Sequence, residues 1–226
     1  MRTLLLTAII WTFALMMLGA YVRLSDAGLG CPDWPGCYGQ LTAPDEAHEM
    51  TQAQQRYGGE VSAAKGWKEM IHRYAAGGLG LWVLALSMAL WRKRATLGLK
   101  PWQVLLPLAT IMFQALLGMW TVTLKLMPAI VSLHLIGGMT LLLLLIWLYG
   151  RTQQQALTHS SGHTQQQALT HSSGRTQQQR IVQHGWLHAA ILVVALQIIL
   201  GGWVSTNYAA LACNDFPLCQ GSLAPP

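Results

Sequence analysis

Five stretches of this chain contain no Asp, Glu, Lys or Arg: Thr3 to Val22, Tyr74 to Trp91, Pro101 to Leu124, Leu126 to Gly150 and Ile181 to Asn214. Each is on the scale of the roughly 20 apolar residues that a helix needs to cross the hydrocarbon core of a bilayer. Backbone N–H and C=O groups in lipid must pair within their own segment, and runs this apolar without alternation predict helices rather than barrel strands. Five transmembrane helices are therefore expected, the first kept as an anchor because it exceeds a signal-peptide core and no small-x-small cleavage site follows it. Composition agrees. With 53% apolar and 10% charged residues among 226, too few charges remain to cover a water-soluble globule or to keep a chain disordered.

Orientation follows from the Lys and Arg of the short connections. One side carries Arg2, Arg92, Lys93, Arg94, Lys100, Arg151, Arg175 and Arg180, eight bases and no acid. That side is expected to be cytoplasmic, with the N-terminus on it. The other carries Arg23, Arg56, Lys65, Lys68, Arg73 and Lys125 with all eight acids, which returns the net charge of +6. The excess of base is a topology signal and forms no stripe that could follow phosphates, so a nucleic-acid partner is excluded. The partner this pattern implies is the lipid bilayer.

Two repeats organise the chain. RTQQQALTHSSG at 151–162 recurs as HTQQQALTHSSG at 163–174, a low-complexity segment expected to act as a flexible tether. Its His159, His163 and His171 could bind metal only adventitiously. The second repeat aligns GAYVRLSDAGLGCPDWPGCYG (19–39) on GGWVSTNYAALACNDFPLCQG (201–221), with nine of 21 positions identical, both cysteines, the Asp and the Pro among them. A unit that begins with a helix and runs into a two-cysteine outer loop has been duplicated. The expected fold class is all-α integral membrane. Residues 1–150 form an N-terminal four-helix transmembrane half with outer loop 23–68, 151–180 a cytoplasmic linker, and 181–226 the first helix and cysteine loop of a second, incomplete half.

All four cysteines, Cys31, Cys37, Cys213 and Cys219, fall on the expected outer, oxidising side, so two local disulfides are predicted. Each pair could be structural or redox-active. Metal binding is the weakest reading, because zinc and thioredoxin-like sites want C-x-x-C spacings.

Ionisable side chains within spans are functional candidates because hydrocarbon penalises them unless they find a partner. His134, about six residues inside the fourth span, and His72, at the outer mouth of the second, are predicted to lie at one level within roughly 10 Å of the outer boundary. Two imidazoles facing each other across a flat ring can supply both axial ligands of a haem iron. Gly77, Gly78 and Gly80 follow His72, and Gly137 and Gly138 follow His134, room for a porphyrin face or a close helix crossing. Glu69 precedes His72 by three residues on the same helix face. It is either a carboxylate beside whatever His72 binds or an ordinary acid near a helix N-terminus. Arg73 could neutralise a haem propionate or snorkel, and Arg23 likewise. His184 and His188 are expected at the cytoplasmic interface, and His48 carries no signal.

At this point the residues resemble a family. Leu18 to Gly39 with GCPDWPGCYG, the E-x-x-H-R of Glu69 to Arg73, the LH-x-x-GG around His134 and the returning GGWVSTNYAALACNDFPLC are similar to haem A synthase. The resemblance covers nearly the whole chain outside the linker repeat. It implies an eight-helix membrane oxidoreductase of two four-helix halves, each with two histidines, that oxidises the C8 methyl of haem O to a formyl group for cytochrome oxidase biogenesis. It implies substrate haem in the N-terminal half and a haem b in the C-terminal half. By position His72 and His134 match the N-terminal haem ligands, Glu69 the catalytic carboxylate, and Cys31 with Cys37 the first-loop pair. The implied partners are haem O, haem O synthase and the cytochrome oxidase assembly machinery, in a bacterial inner membrane, with an oligomer left open. The counterpart of His72 would fall near position 254, so the chain is expected to be a C-terminally truncated form lacking three helices and the haem b site. Two rival readings remain, a membrane thiol oxidoreductase passing electrons from the outer cysteine pairs to quinone and a non-catalytic haem carrier.

Overall fold

A computed structural model describes the backbone of residues 1–161 and 175–207 and the side chains of 1–153 and 191–207. The described residues form six helices: α1 (Arg2–Leu24), α2 (Ala47–Tyr57), α3 (Ala63–Lys93), α4 (Pro101–Thr123), α5 (Pro128–Ser161) and α6 (Arg175–Thr206). No strand occurs among the described residues, as the all-α expectation requires. Four helices, α1, α3, α4 and the Pro128–Gln153 part of α5, are long and apolar enough to cross a membrane, and α6 carries a shorter apolar stretch, Ile191–Thr206. The chain is a multi-pass membrane protein. It divides into two compact units, Met1–His159 and Ser160–Pro226.

Within the first unit, Leu5 and Ala8 of α1, Leu79, Val83, Leu86 and Leu90 of α3, Val104 of α4, and Leu141, Leu145 and Leu148 of α5 form one buried core. Large apolar side chains on the opposite faces are bare: Leu81 is 70%, Met112 64% and Leu143 63% exposed. In water so large an apolar surface would drive aggregation; in lipid it is the solvent-facing side. Two polar ties brace the N-terminal end of α1. The Arg2 guanidinium donates to the Tyr149 hydroxyl at 3.0 Å, and the Trp82 indole donates to the Leu4 carbonyl at 3.2 Å.

Three boundaries differ from the sequence expectation. α3 starts at Ala63, capped by Ser62, whose hydroxyl accepts from the Lys65 N–H at 3.4 Å. The helix thus projects beyond the charge-free stretch, because a helix needs only a packed side and a cap, whereas a lipid span needs apolar residues all round. At the other end α5 continues through Ser161 into the first linker repeat, and α6 begins at Arg175. Gln, Ala and Leu propagate a helix already nucleated by packing. The linker residues 162–174 lie outside the described residues, as does the loop of Cys213 and Cys219.

The loop after α1 is anchored on the start of α3. Cys31 and Cys37 form a disulfide and are both fully buried. Gly30 lies so close to α3 that a Cβ there would sit 2.5 Å from the Lys65 carbonyl. Asp33, one of the residues kept in both copies of the repeat, accepts the Tyr38 N–H at 2.6 Å and the Gly39 N–H at 2.8 Å. Those two residues have φ of 53° and 80° and reverse the chain between Cys37 and Gln40. Nearby, the Lys65 ammonium, 2.8 Å from Asp26, holds that carboxyl below its ordinary range. Asp33→Ala is expected to leave two turn N–H groups without their charged acceptor, at about 1–3 kcal/mol each where buried and less where water replaces it. The readout is thiol labelling under mild reductant: Cys31 and Cys37 should become accessible several times faster than in the parent chain.

Candidate functional site

The two span histidines are brought together at the loop end of the four-helix unit. Gly19 lies five residues before the end of α1, Gly118 five before the end of α4, and His134 six after the start of α5. At 1.5 Å per residue all three sit about 8 Å from that end. His72 packs on α1 at this level: a Cβ on Gly19 would stand 3.0 Å from its Cε1. His134 packs on α4, where a Cβ on Gly118 would stand 3.4 Å from its Cε1. Both are half-buried, and the buried Nδ1 of each has no hydrogen-bond partner among the described residues.

Unsatisfied buried ring nitrogens are costly. Two such imidazoles, on α3 and α5 at one depth, are candidates to be engaged by a planar group bound at that level. Among the described residues no group of three or more His, Cys, Asp or Glu could hold a bare metal ion. A macrocycle that brings its own four equatorial nitrogens needs only two axial imidazoles from a protein.

The glycines divide between the two roles expected of them. Gly78 is a close crossing, since a Cβ there would meet the Trp11 ring at 2.9 Å, whereas Gly77 and Gly80 have nothing within 4 Å. At Gly137 and Gly138 the neighbour is the Gln114 side chain of α4, a residue that did not stand out in the sequence. Its amide Nε2 donates to the His134 carbonyl at 2.8 Å.

Glu69 is 5% exposed and both its oxygens are engaged. Oε1 pairs with the Arg73 guanidinium one turn along α3, and Oε2 accepts the Cys31 N–H at 2.9 Å. Arg73 in turn donates to the loop carbonyls of Asp33 at 2.9 Å, Pro35 at 3.3 Å and Gly36. Glu69 and Arg73 thus clamp the disulfide loop onto the helix that carries His72. Arg23 lies half-buried in the last turn of α1. His48 is exposed beside Glu46 at 3.2 Å. His184 and His188 fall on the backbone of α6, their side chains outside the described residues. Full burial of Cys31 and Cys37 bears on the redox reading, because thiol exchange requires a partner to reach a sulfur along the S–S axis.

Comparisons with known proteins follow the same line. The chain is 44% identical over 221 residues to Heme A synthase of Shewanella oneidensis, an alignment covering 97% of this chain and 61% of that protein. It is 28% identical over 220 residues to Heme A synthase of Halalkalibacterium halodurans, covering 93% and 61%, and 27% identical over 232 residues to that of a Caulobacter species, covering 94% and 62%. The chain therefore spans about three fifths of the length of the curated relatives it matches. No solved structure matches it. Residues 2–226 match the family described as Cytochrome oxidase assembly protein, and the chain belongs to that family.

Proposed function

We propose that residues 1–150 form the substrate-holding half of a haem A synthase, in which His72 and His134 ligate the iron of haem O while its C8 methyl is oxidised to a formyl group. The observation that carries this reading is the pair of half-buried imidazoles at one depth, each with a buried Nδ1 lacking a partner among the described residues. The names of the relatives support it. On this reading the substrate supplies an iron porphyrin whose conjugated methyl carbon can be oxidised. The chain supplies two ligands that fix the ring plane, apolar walls, and a lipid-facing side through which a hydrophobic tail can leave the bundle; the four electrons removed and the oxygen gained in going from methyl to formyl require an acceptor and an oxygen source from outside residues 1–150.

Glu69 is assigned the catalytic carboxylate. Its pairing with Arg73 and the Cys31 N–H holds it in one pose a helical turn from His72. A preorganised negative charge of that kind stabilises positive charge developing on a neighbouring carbon; taking a proton would first require it to leave Arg73. Arg73 is assigned to hold that carboxylate and the loop, and to face a propionate where the ring edge reaches it. The loop of Cys31 and Cys37 is assigned to the outer face and the N-terminus to the cytoplasm by the distribution of Lys and Arg, and the membrane to the bacterial inner membrane by the family. Haem O synthase, which makes the substrate, and cytochrome oxidase assembly are the partners this reading implies.

The test is conversion. Membranes containing the chain, supplied with haem O, are extracted and their haems separated chromatographically. Appearance of haem A supports the enzyme; bound haem whose side chains never change supports a carrier instead. Cys31 and Cys37 cycling between thiol and disulfide in proportion to quinone reduction would move the thiol oxidoreductase ahead.

A further inference from the structure

We infer that Gln114 is the positioning residue of His134: its amide, seated over Gly137 and Gly138, sets the rotation and depth of α5 and so the direction in which the imidazole points. The inference rests on His134 being a haem ligand, as proposed above. Gln114 lies in the apolar middle of α4, where a carboxamide exposed to hydrocarbon is unfavourable. It is kept there by one bond across the bundle, from Nε2 to the carbonyl of His134 itself at 2.8 Å. That carbonyl already belongs to the α5 ladder, so the contact adds a bond without breaking the helix.

Space for the amide exists only because α5 has no side chains beneath it. A Cβ on Gly137 would stand 2.6 Å from Gln114 Oε1 and 2.9 Å from its Cδ, and one on Gly138 would stand 3.2 Å from Nε2. One turn further along α4, Gly118 supports the His134 ring. α4 therefore presents a saddle, an amide and then a glycine, into which the segment His134–Gly138 fits in one register. Oε1 of Gln114 is buried and has no partner among the described residues. Its cost is offset by no other hydrogen bond, so what this residue contributes is position rather than net stability.

The experiment uses the full chain in detergent, titrated with ferric protoporphyrin haem, in parent, Gln114→Leu, Gly137→Ala and Thr110→Ala forms. Gln114→Leu is expected to raise the haem dissociation constant roughly tenfold, the scale on which supporting contacts act on ligand geometry. It should also shift the largest g value of the low-spin ferric signal, which reports the relative orientation of the axial rings. Gly137→Ala, which displaces the amide without touching His134, should reproduce both changes. Thr110→Ala, one turn away, should reproduce neither. A second readout needs no haem: carbethoxylation of His134, followed by mass spectrometry, should quicken several-fold in Gln114→Leu and Gly137→Ala while that of His72 stays at the parental rate. Parental haem affinity and g values in both variants, or equal changes at the two histidines, would overturn the inference. Failure of the parent chain to bind haem would overturn the ligand reading alone, and the carbethoxylation arm would still decide whether Gln114 positions His134.

Discussion

Replacing either His72 or His134 by Ala is expected to abolish stoichiometric haem in the purified chain, as read from the reduced pyridine haemochrome spectrum beside the parent. The size of the effect follows from what each ring does. Contacts that merely support a ligand are worth roughly 10–100-fold in affinity, and removing a ligand removes the bond that they support. One remaining imidazole would leave a high-spin, weakly held haem. The two variants should behave alike, because each imidazole is seated against a glycine of a neighbouring helix, Gly19 for His72 and Gly118 for His134, and neither has a substitute nearby. Folding should survive, since both side chains are half-buried and the core of Leu79, Val83, Leu141 and Leu145 lies deeper in the bundle. Retention of parental haem by either variant would sink the axial-pair assignment.

Membrane helices make one part of such a site legible and hide another. His134 was visible because an ionisable ring in a charge-free stretch violates the composition of its surroundings, His72 because it stands at the mouth of the next such stretch, and counting residues from each span end places both at one depth. Asp33 was visible as a position kept in both copies of the repeat, and its two N–H acceptances explain why a carboxylate is needed there. Gln114 was not visible. It carries no charge, so it leaves an uncharged stretch uninterrupted, and only the contact with His134 gives it a role. The surroundings of Glu69 were hidden for a different reason. An i, i+3 spacing says that Glu69 and His72 share a face of α3, but the neighbour on that face depends on how the disulfide loop folds back. α2 was hidden too, being a short amphipathic helix stabilised by a reciprocal cap between Glu46 and Glu49 rather than by any apolar run.

Glu69→Gln is expected to leave haem bound and to reduce conversion of haem O by about 10²-fold or more, the scale on which preorganised electrostatic groups act. Gln keeps the length of the side chain and an oxygen that can still accept the Cys31 N–H, so the loop should loosen less than in Glu69→Ala although Arg73 loses its carboxylate. What it removes is the charge that both balances Arg73 and faces the substrate. Glu69→Ala is expected to do more. It leaves the Arg73 guanidinium, 12% exposed, without its carboxylate, and the Cys31 N–H without its acceptor. Breaking a buried pair from one side costs about 3–5 kcal/mol, so the loop should loosen and the thiols should label faster under mild reductant. Arg73→Met removes the bonds to the Asp33, Pro35 and Gly36 carbonyls and should also speed labelling. Comparing Glu69→Gln with Glu69→Ala separates anchoring from chemistry, because both remove the charge and only the second removes the acceptor of the Cys31 N–H. Conversion at the parental rate in Glu69→Gln would show that Glu69 serves only to fasten the disulfide loop to α3, and the catalytic assignment would pass to another group within reach of His72.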